Sequence, residues 1–526
     1  MGPTPPPTAA AWRRHLTPGR VFFLVSLVHA LWAVHLGWDH AILDNHPFRQ
    51  SQTALTASYM VGRPPKLAYE TPVLGPPWSI PMEFPLYQWI VAGLVTVLGT
   101  PLEQTGRFVS VAFFLLTLVP ANLILRRCEV SAEGRLVILG LFLLSPFYLF
   151  WSRTFMIEST ALFLSVSYVA AAWSALESPR PLRVATALLF GGLAGPVKVT
   201  TFATFLLAAG LLAVRAWWLS RRPEPRAAWG AGRLATAALL LAFPVVTTAL
   251  WTHFADAQKE LNPLGKALTS TTLREWNFGT LAQRADLGVW GTQFSRAIAA
   301  VDVPVLLAGL GGLLLTRRRW RLIAVCTFLY LSAFLLFCNV YRHTYYPYAN
   351  NIFLLGAAGL GVVALLEANR PLRALAPALL LGFFGLECYR HSDLYGWIQE
   401  SNVRGAADAG RAIEGATQED EVLVGLGLDW TSEYAYCSRR RALMRPGSAA
   451  EGLGHFRECL AQLDGYRVGA VAIKKSTLAP YSIDDAPDLL AKCGWHGRVV
   501  YSDAYMTIYA ASAEAAVEGP RSPPER

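Results

Sequence analysis

The chain has 526 residues, of which 53% are hydrophobic and 16% charged, and its mean hydropathy is +0.34. A soluble protein of this length would carry about a quarter charged residues, so the composition excludes that class and favours a polytopic helical membrane protein. The net charge of +10 does not indicate a nucleic-acid partner, because basic residues fall in short loops between apolar segments, a pattern typical of cytosolic loops.

The basic loops predict the topology. Their members are Arg126 and Arg127, Arg180 and Arg183, Arg221 and Arg222, Arg317 to Arg319, and Arg370 and Arg373. Three apolar segments, 21–38, 85–99 and 108–125, lie between Arg20 and Arg126, but two cytosolic ends require an even number of crossings. Because the segment 85–99 is the shortest and contains Gln88 and Trp89, we expect it to lie in the outer interface or to dip in partway, without crossing.

The other apolar segments bring the predicted number of transmembrane helices to about eleven. They lie near 135–151, 159–176, 183–196, 200–218, 234–252, 303–315, 321–338, 348–366 and 372–388. Residues 1–20 are expected to be a cytosolic disordered segment. Residues 21–388 are expected to be a transmembrane module, whose residues 39–107 form a first extracytosolic loop, called the first loop below.

The pattern changes beyond Cys388, where residues 389–512 predict a small extracytosolic α/β domain. Its helix is AADAGRAIEG, its buried strands are EVLVGLGL and VGAVAIKK, and VVYSDAYMTIYAA has the alternation of edge strands. Three of its cysteines, Cys437, Cys459 and Cys493, would allow one disulfide, but spacing does not decide the pairing. Residues 513–526 are rich in Pro, Glu and Arg and are expected to be disordered.

Polar motifs follow the apolar helices in a distinctive order. DNHPFRQSQTA begins at Asp44 after the first helix, EFPLYQWIVAG begins at Glu83, and Arg107 opens the next span. Ionisable groups beside lipid are energetically expensive and usually functional. Over residues 20 to about 370, this order resembles bacterial GT-C glycosyltransferases, and specifically their protein-mannosyltransferase and aminoarabinose-transferase branch.

The resemblance implies an integral-membrane, inverting glycosyltransferase of the bacterial inner membrane. Such an enzyme takes a sugar from a polyprenyl-phosphate donor and transfers it to a lipid- or glycan-linked acceptor. Its partners would be these two substrates and membrane lipid, with no nucleic acid. The active site and the C-terminal domain are expected on the extracytosolic side.

Two acidic residues are predicted to be catalytic. Asp44 matches the acidic residue that is the family's general base, which would remove the proton of the acceptor hydroxyl. Glu158, in RTFMIES, matches the second acidic loop, and its alternative is burial in a pair with Arg153. Relatives often have Asp-Glu and Asp-x-Glu at these places, whereas this chain has Asn45 and Met156. A divalent metal with Asp44 and Glu158 as ligands is therefore open, but the sequence does not require one.

Substrate binding is predicted for four residues of the first loop. Arg49, Gln50 and Gln52 would hydrogen-bond the phosphate or sugar of the donor, or else attach the loop to the membrane interface. Glu83 would bind sugar hydroxyls or cap the helix that follows it.

The last four predicted substrate-binding residues lie in two later outward turns. Lys198, after Gly195-Pro196, matches a family lysine that would neutralise the lipid phosphate, and its alternative is a snorkelling lysine. Arg342, His343 and Tyr345, in VYRHTYYPYAN, would contact the same phosphate, and their alternative is an aromatic belt at the interface.

Two other functions stay open at this point. A lipid-sugar transporter or flippase would place ionisable residues midway along its helices and would have broken helices in symmetry-related positions. A non-catalytic scaffold would bind partners through its extracytosolic domain, and the Asp44 region would be dispensable.

Overall fold

The computed structural model describes residues 17–220, 231–316 and 319–512. The disordered segments predicted for the two termini lie outside the described residues, apart from residues 17–20. Several arginines of the basic loops also lie outside them. The described residues divide into two compact units. Unit 1 takes its residues from Met1–Trp38, Arg107–Trp251 and Arg274–Glu400, and unit 2 takes its residues from Asp39–Gly106, Thr252–Leu273 and Ser401–Arg526.

Most of the described chain is helical. The helices that end by residue 260 are α1 (Pro18–His35), α2 (Pro47–Ser58), α3 (Leu86–Leu98), α4 (Leu102–Leu116), α5 (Leu118–Arg127), α6 (Ala132–Leu144), α7 (Pro146–Trp151), α8 (Glu158–Glu177), α9 (Pro181–Val197), α10 (Val199–Ser220) and α11 (Ala231–Glu260). Those up to residue 400 are α12 (Arg274–Phe278), α13 (Leu281–Ala285), α14 (Leu287–Val301), α15 (Val303–Thr316), α16 (Trp320–Leu336), α17 (Asn351–Glu367), α18 (Arg370–His391) and α19 (Trp397–Glu400).

The apolar helices make the protein a polytopic membrane protein, as predicted. Within the described residues, six helices are long and apolar enough to cross a membrane, and the pair α14 and α15, bent by 91°, would be a seventh span. Each of the eleven predicted crossings is largely helical. Several are short: α9, α16 and α17 have 17 residues each, so each is about 26 Å long.

The helix over the segment 85–99 is shorter still. Helix α3 has 13 residues and a length of about 20 Å, well below a hydrocarbon thickness of about 30 Å. Its length is consistent with a helix that does not cross, and its position in the interface stays a prediction.

Close helix packing in unit 1 depends on glycine. Gly309 and Gly312 of α15 lie against the backbone of α17 at Ala358 and Gly361, so closely that a Cβ at Gly312 would overlap the carbonyl oxygen of Gly361. Small residues allow two apolar helices to approach until their backbones touch, which is the main packing device available in lipid.

Unit 2 contains the α/β domain that the sequence predicts after Cys388. Its helices are α20 (Gly405–Ala416), α21 (Glu433–Ser438), α22 (Ala449–Gly454), α23 (Phe456–Gln462) and α24 (Ala486–Ala491). Its strands are β1 (Val422–Leu426), β2 (Ala442–Arg445), β3 (Val468–Lys474), β4 (Gly497–Ser502) and β5 (Met506–Ala511), in the order β2-β1-β3-β5-β4. The first three strands are parallel, and β5 is antiparallel to β3 and β4.

The sequence predicted most of this sheet. Helix α20 and strands β1 and β3 lie at the predicted positions, and the alternating segment forms the hairpin of β4 and β5. Strand β2 was not predicted, because its four residues are too few for a recognisable period. All five residues of β1 are buried, since apolar clusters cover both faces of the sheet.

The first loop completes one edge of this sheet. The backbone N–H groups of Ala442 and Met444 donate to the carbonyls of Pro72 and Val73, and Gly75 donates back to Ala442. The edge of β2 is thereby covered, which protects it from pairing with another chain. The side chain of Leu74 is buried in the apolar cluster of the sheet.

Candidate active site

Asp44 lies just before α2 and is held by a buried glutamine. Helix α2 begins at Pro47, after His46 in the left-handed conformation with φ 57°. One turn into the helix, Nε2 of Gln50 donates to Oδ1 of Asp44 at 2.5 Å and to the carbonyl of Asn45 at 3.0 Å. Gln50 is completely buried and Asp44 is half-buried. The amide therefore fixes the orientation of a carboxylate that keeps partial access to solvent.

Arg49, Gln52 and Glu83 form a second polar group in the first loop. The guanidinium of Arg49 forms an ion pair with Glu83 and donates to Oε1 of Gln52 at 2.5 Å. Tyr69 supports Glu83, because its hydroxyl donates to the carbonyl of Glu83 at 2.8 Å and accepts from the N–H of Met82 at 2.7 Å. These contacts attach Arg49 to the loop, which was one of the two predicted roles.

Gln52 has an unused donor. It is 3% exposed, and among the described residues its Nε2 has no hydrogen-bond partner. Because Arg49 can only donate, it requires the oxygen of the Gln52 amide on its side, and Nε2 must point the other way. A buried amide donor without a partner is unfavourable unless a ligand or water accepts its hydrogen bond.

The capping alternative for Glu83 is wrong. Pro85 is the N-cap residue of α3, a helix that lies within the described residues, and no side chain forms a capping hydrogen bond at its N-terminus. The carboxylate of Glu83 is instead committed to Arg49.

In unit 1, Glu158 and Lys198 form a buried ion pair. Glu158 is the first residue of α8, and Lys198 is the residue between α9 and α10. Their side chains are 1% and 5% exposed. The dipole of α8 stabilises the carboxylate at its N-terminus, whereas Lys198 lies between the C-terminus of α9 and the N-terminus of α10, whose dipoles act on it in opposite senses. Lys198 is thus buried and paired, and the snorkelling alternative does not describe it.

Two stacked tyrosines cover the ammonium of Lys198. Nζ lies 4.7 Å from the ring centre of Tyr346 and 5.5 Å from that of Tyr345. His343 flanks the same Tyr346 ring, at a distance of 6.1 Å between ring centres. The predicted residues Lys198, His343 and Tyr345 are therefore brought together. With Glu158 and Tyr346 they are called the lysine cluster below.

His343 lies in an electropositive environment. Its ring lies 4.8 Å from that of Trp276, and burial together with the charges of Arg296 and Arg342 lowers the pKa of its imidazole. The positive charges of Arg296 and Arg342 near His343 favour an anion at this place. Sequence reasoning missed Arg296, although it is the single charged residue of the amphipathic helix α14, a signal that could have revealed it.

Two buried arginines hold the end of α1. Arg107 donates to the carbonyls of Gly37 and Trp38, and Arg153 donates to the same carbonyl of Gly37 at 3.1 Å. Both side chains are almost completely buried. The Arg107 of the sequence motif therefore fixes the backbone from which the first loop departs.

The residues do not fit a divalent metal. Among the described residues, no group of three or more His, Cys, Asp and Glu side chains could hold a metal ion. The carboxylate of Glu158 already has the ammonium of Lys198 as its cation. Hard divalent ions need several oxygen ligands, and neither predicted ligand belongs to such a set.

All seven cysteines lie in the described ranges and are free thiols, so the C-terminal domain contains no disulfide there.

Solved structures decide the fold. ArnT from Cupriavidus metallidurans in the apo state matches with a TM-score of 0.61 and 14% identity, over 96% of this chain and 100% of ArnT. ArnT bound to undecaprenyl phosphate matches with a TM-score of 0.57 and 15% identity, over 98% and 100% of the two chains. The apo oligosaccharyltransferase of Archaeoglobus fulgidus matches with a TM-score of 0.54 and 13% identity, over 94% and 74%. The chain has the GT-C fold.

The GT-C fold confirms the resemblance carried by the sequence motifs. No family model matches the sequence, and no curated protein matches it either. The order of short polar motifs along the apolar helices therefore indicated the fold even though the sequence itself matches no family model.

Proposed function

We propose that this GT-C protein is an inverting glycosyltransferase that moves one sugar from a polyprenyl-phosphate donor to a lipid- or glycan-linked acceptor. The observation that carries the proposal is the half-buried Asp44 carboxylate, held by the buried Gln50 amide at the start of α2. A carboxylate that is both oriented and accessible is suited to accept a proton.

Asp44 acts as the general base. It removes the proton of the acceptor hydroxyl while that oxygen attacks the anomeric carbon of the sugar. The bond between the anomeric carbon and the phosphate oxygen breaks from the opposite side, so the configuration at that carbon is inverted. The electron pair of the broken bond leaves with the polyprenyl phosphate, which needs no acid because a phosphate is a good leaving group.

The donor phosphate is proposed to bind at the lysine cluster. Lys198 and His343 flank one tyrosine ring, and Arg296 and Arg342 add positive charge at His343. Cationic donors stabilise the charge that develops on a leaving phosphate. Support also comes from ArnT, the structurally similar protein that was solved with undecaprenyl phosphate.

Glu158 is proposed to act through Lys198. Its carboxylate pairs with the ammonium and thereby holds it at the tyrosines. Glu158 would then place the cation for the phosphate, and would not itself react.

Gln52 is proposed to contact the donor sugar or phosphate. Its Nε2 is a buried donor for which the described residues offer no acceptor. A substrate oxygen would complete its hydrogen bonding, and this gain would exist only in the substrate complex.

Transfer by the purified protein tests the function. The protein in detergent or nanodiscs would be incubated with a panel of polyprenyl-phosphate sugars and a crude lipid and glycan acceptor fraction. We expect release of polyprenyl phosphate with at least one donor, and radiolabelled sugar in the acceptor fraction. A flippase would instead move the intact donor between the leaflets of a vesicle, and a scaffold would do neither.

Cysteine labelling tests the proposed side of the membrane. We expect reagents that do not cross the membrane to label single cysteines at Thr105, at positions within 39–80, and in the C-terminal domain, all from the extracytosolic side. Labelling of Thr105 from the cytosol with positions 39–80 outside would show that the segment 85–99 crosses.

A further inference from the structure

Helix α2 carries Arg49, Gln50 and Gln52, and in unit 2 it packs against the C-terminal α/β domain. The face that makes this contact contains Phe48, Leu55 and Tyr59. Their spacing of seven and four residues places them on one side of a helix. The α/β domain therefore contacts α2 near its first turn, in its middle and just past its last turn.

Trp430 holds the beginning of the helix. It follows β1 in the α/β domain, and its ring lies edge-on to Phe48 with 4.8 Å between the ring centres and 88° between the planes. Helix α21, three residues further on, packs against α2. Its Tyr436 donates to Glu103 of the first loop at 2.8 Å.

Arg441 holds the end of the helix. Its guanidinium lies 5.8 Å from the ring centre of Tyr59 and 5.3 Å from that of Trp78, and pairs with Glu70 at 2.9 Å. Each of these three partners belongs to the first loop. One side chain of the α/β domain thus joins three places in the first loop.

Gln50 projects from the other side of α2. It lies two residues beyond Phe48, which is roughly 200° around a helix. A rotation of α2 that follows the loss of its packed face would therefore displace the amide that holds Asp44.

We propose that Trp430 and Arg441 are positioning residues, and that the C-terminal α/β domain serves the reaction by setting the orientation of α2 and thereby of the Asp44 carboxylate. The inference rests on the proposed function. It assigns a catalytic contribution to a domain that lies far along the chain from the reacting residues.

Activity assays on the full-length protein test the inference. We expect W430A and R441M to lower kcat about tenfold to hundredfold, the effect of a catalytic group displaced by about 1 Å. The KM for the donor should rise by a smaller factor than kcat falls, because the lysine cluster of unit 1 is unchanged and, on α2, only Gln52 is proposed to contact the donor. W430F keeps an aromatic edge and should recover most of the activity, which a general loss of folded protein would not allow.

A matched arginine provides the control. Arg411 also pairs with a carboxylate, that of Asp408, but both side chains are exposed on α20 of the same domain. We expect R411M to leave kcat and KM unchanged. Equal losses in R411M and R441M would overturn the assignment of a specific role to Arg441.

Hydrogen exchange gives a readout that does not need activity. In W430A and R441M, the amides of Pro47–Ser58 should exchange faster than in the wild type, while those of α8 keep their protection. Unchanged exchange in α2 would overturn the inference. If D44N is inactive but W430A retains wild-type kcat, the inference is wrong and the proposed function stands; if the wild type transfers no sugar from any donor, the proposed function fails and the inference fails with it.

Discussion

The carboxylates of the first loop and of the lysine cluster differ in burial and in hydrogen-bond partner. The Asp44 carboxylate is half-buried and accepts a hydrogen bond from a neutral amide, whereas Glu158 and Lys198 are almost completely buried and neutralise each other. A proton acceptor must stay accessible, but a buried charge is tolerated only with a partner. We therefore expect substitutions in the first loop to affect turnover, and substitutions in the lysine cluster to affect folding as well.

The largest effect is expected for Asp44→Asn. The amide keeps the size of the side chain but cannot accept the proton, so kcat should fall about a hundredfold to ten-thousandfold, with donor binding and thermal stability near those of the wild type. Asp39→Asn is the matched control, because Asp39 also accepts a glutamine hydrogen bond in the first loop, from Gln104. Near-normal transfer by a well-folded Asp44→Asn protein would remove Asp44 from its role.

Breaking the buried pair on one side should destabilise the fold. Lys198→Met leaves Glu158 buried without its cation, and we expect a loss of about 3–5 kcal/mol, measured as a lower thermal midpoint. The double substitution Lys198→Met with Glu158→Gln should recover most of the stability but not donor binding.

The control for this pair is Arg127 with Glu177. That pair also lies in unit 1, but its side chains are 21% and 53% exposed. Arg127→Met should cost only about 0–1 kcal/mol. A Lys198→Met protein as stable as Arg127→Met would show that the buried pair is not a structural element.

A double-mutant cycle tests whether Lys198 and Arg342 bind one phosphate. Lys198→Ala and Arg342→Ala should each weaken donor binding, and their combination should be non-additive by about 0.5–3 kcal/mol, as is usual for residues that share a ligand. Titration of a fluorescent donor would measure the three affinities. If the two losses of binding free energy simply add, Arg342 does not share the phosphate with Lys198, and its alternative role at the membrane interface beside the aromatic belt is favoured.

The smallest effect is expected from pH. Burial and the charges of Arg296 and Arg342 lower the pKa of His343 below its ordinary value of 6.5. The unfolded chain then binds more protons, so this contribution to stability is present above about pH 6.5 and is lost as the pH falls through the lowered pKa.

A phosphodiester bound beside the imidazole would raise its pKa again, so donor binding would take up a proton. Donor affinity should therefore rise a few-fold as the pH falls from about 7.5 to about 6, and His343→Gln should flatten this dependence. The same pH dependence in the wild type and in His343→Gln would show that His343 does not contact the phosphate.

The sequence predicted the features that depend on local pattern. Apolar length marked the eleven helical segments, short apolar runs marked strands β1 and β3, and alternation marked the segment that forms β4 and β5. Motif order indicated the GT-C fold, although the identity to the structurally similar ArnT is only 14%. These features can be recognised within windows of about 10–20 residues.

Partner choice could not be predicted in the same way. Glu158 forms an ion pair with Lys198, which follows it by 40 residues, and no sequence pattern predicted this partner. The pairing depends on how α8, α9 and α10 meet, and no local period encodes that geometry. The packing of α2 against the α/β domain was missed for the same reason, since Arg441 alone has no motif.

The strand pairing at the edge of β2 has a consequence for synthesis. The N–H of Ala442 donates to the carbonyl of Pro72, a residue that is synthesised 370 residues earlier in the chain. At about 5–20 residues per second, the segment that contains Pro72 waits about 20–75 s for its partner strand. During that interval the apolar residues Val73 and Leu74 are without the core that later buries them. Nascent chains of this protein should therefore depend on a chaperone or on the membrane surface until the last fifth of the sequence has been made.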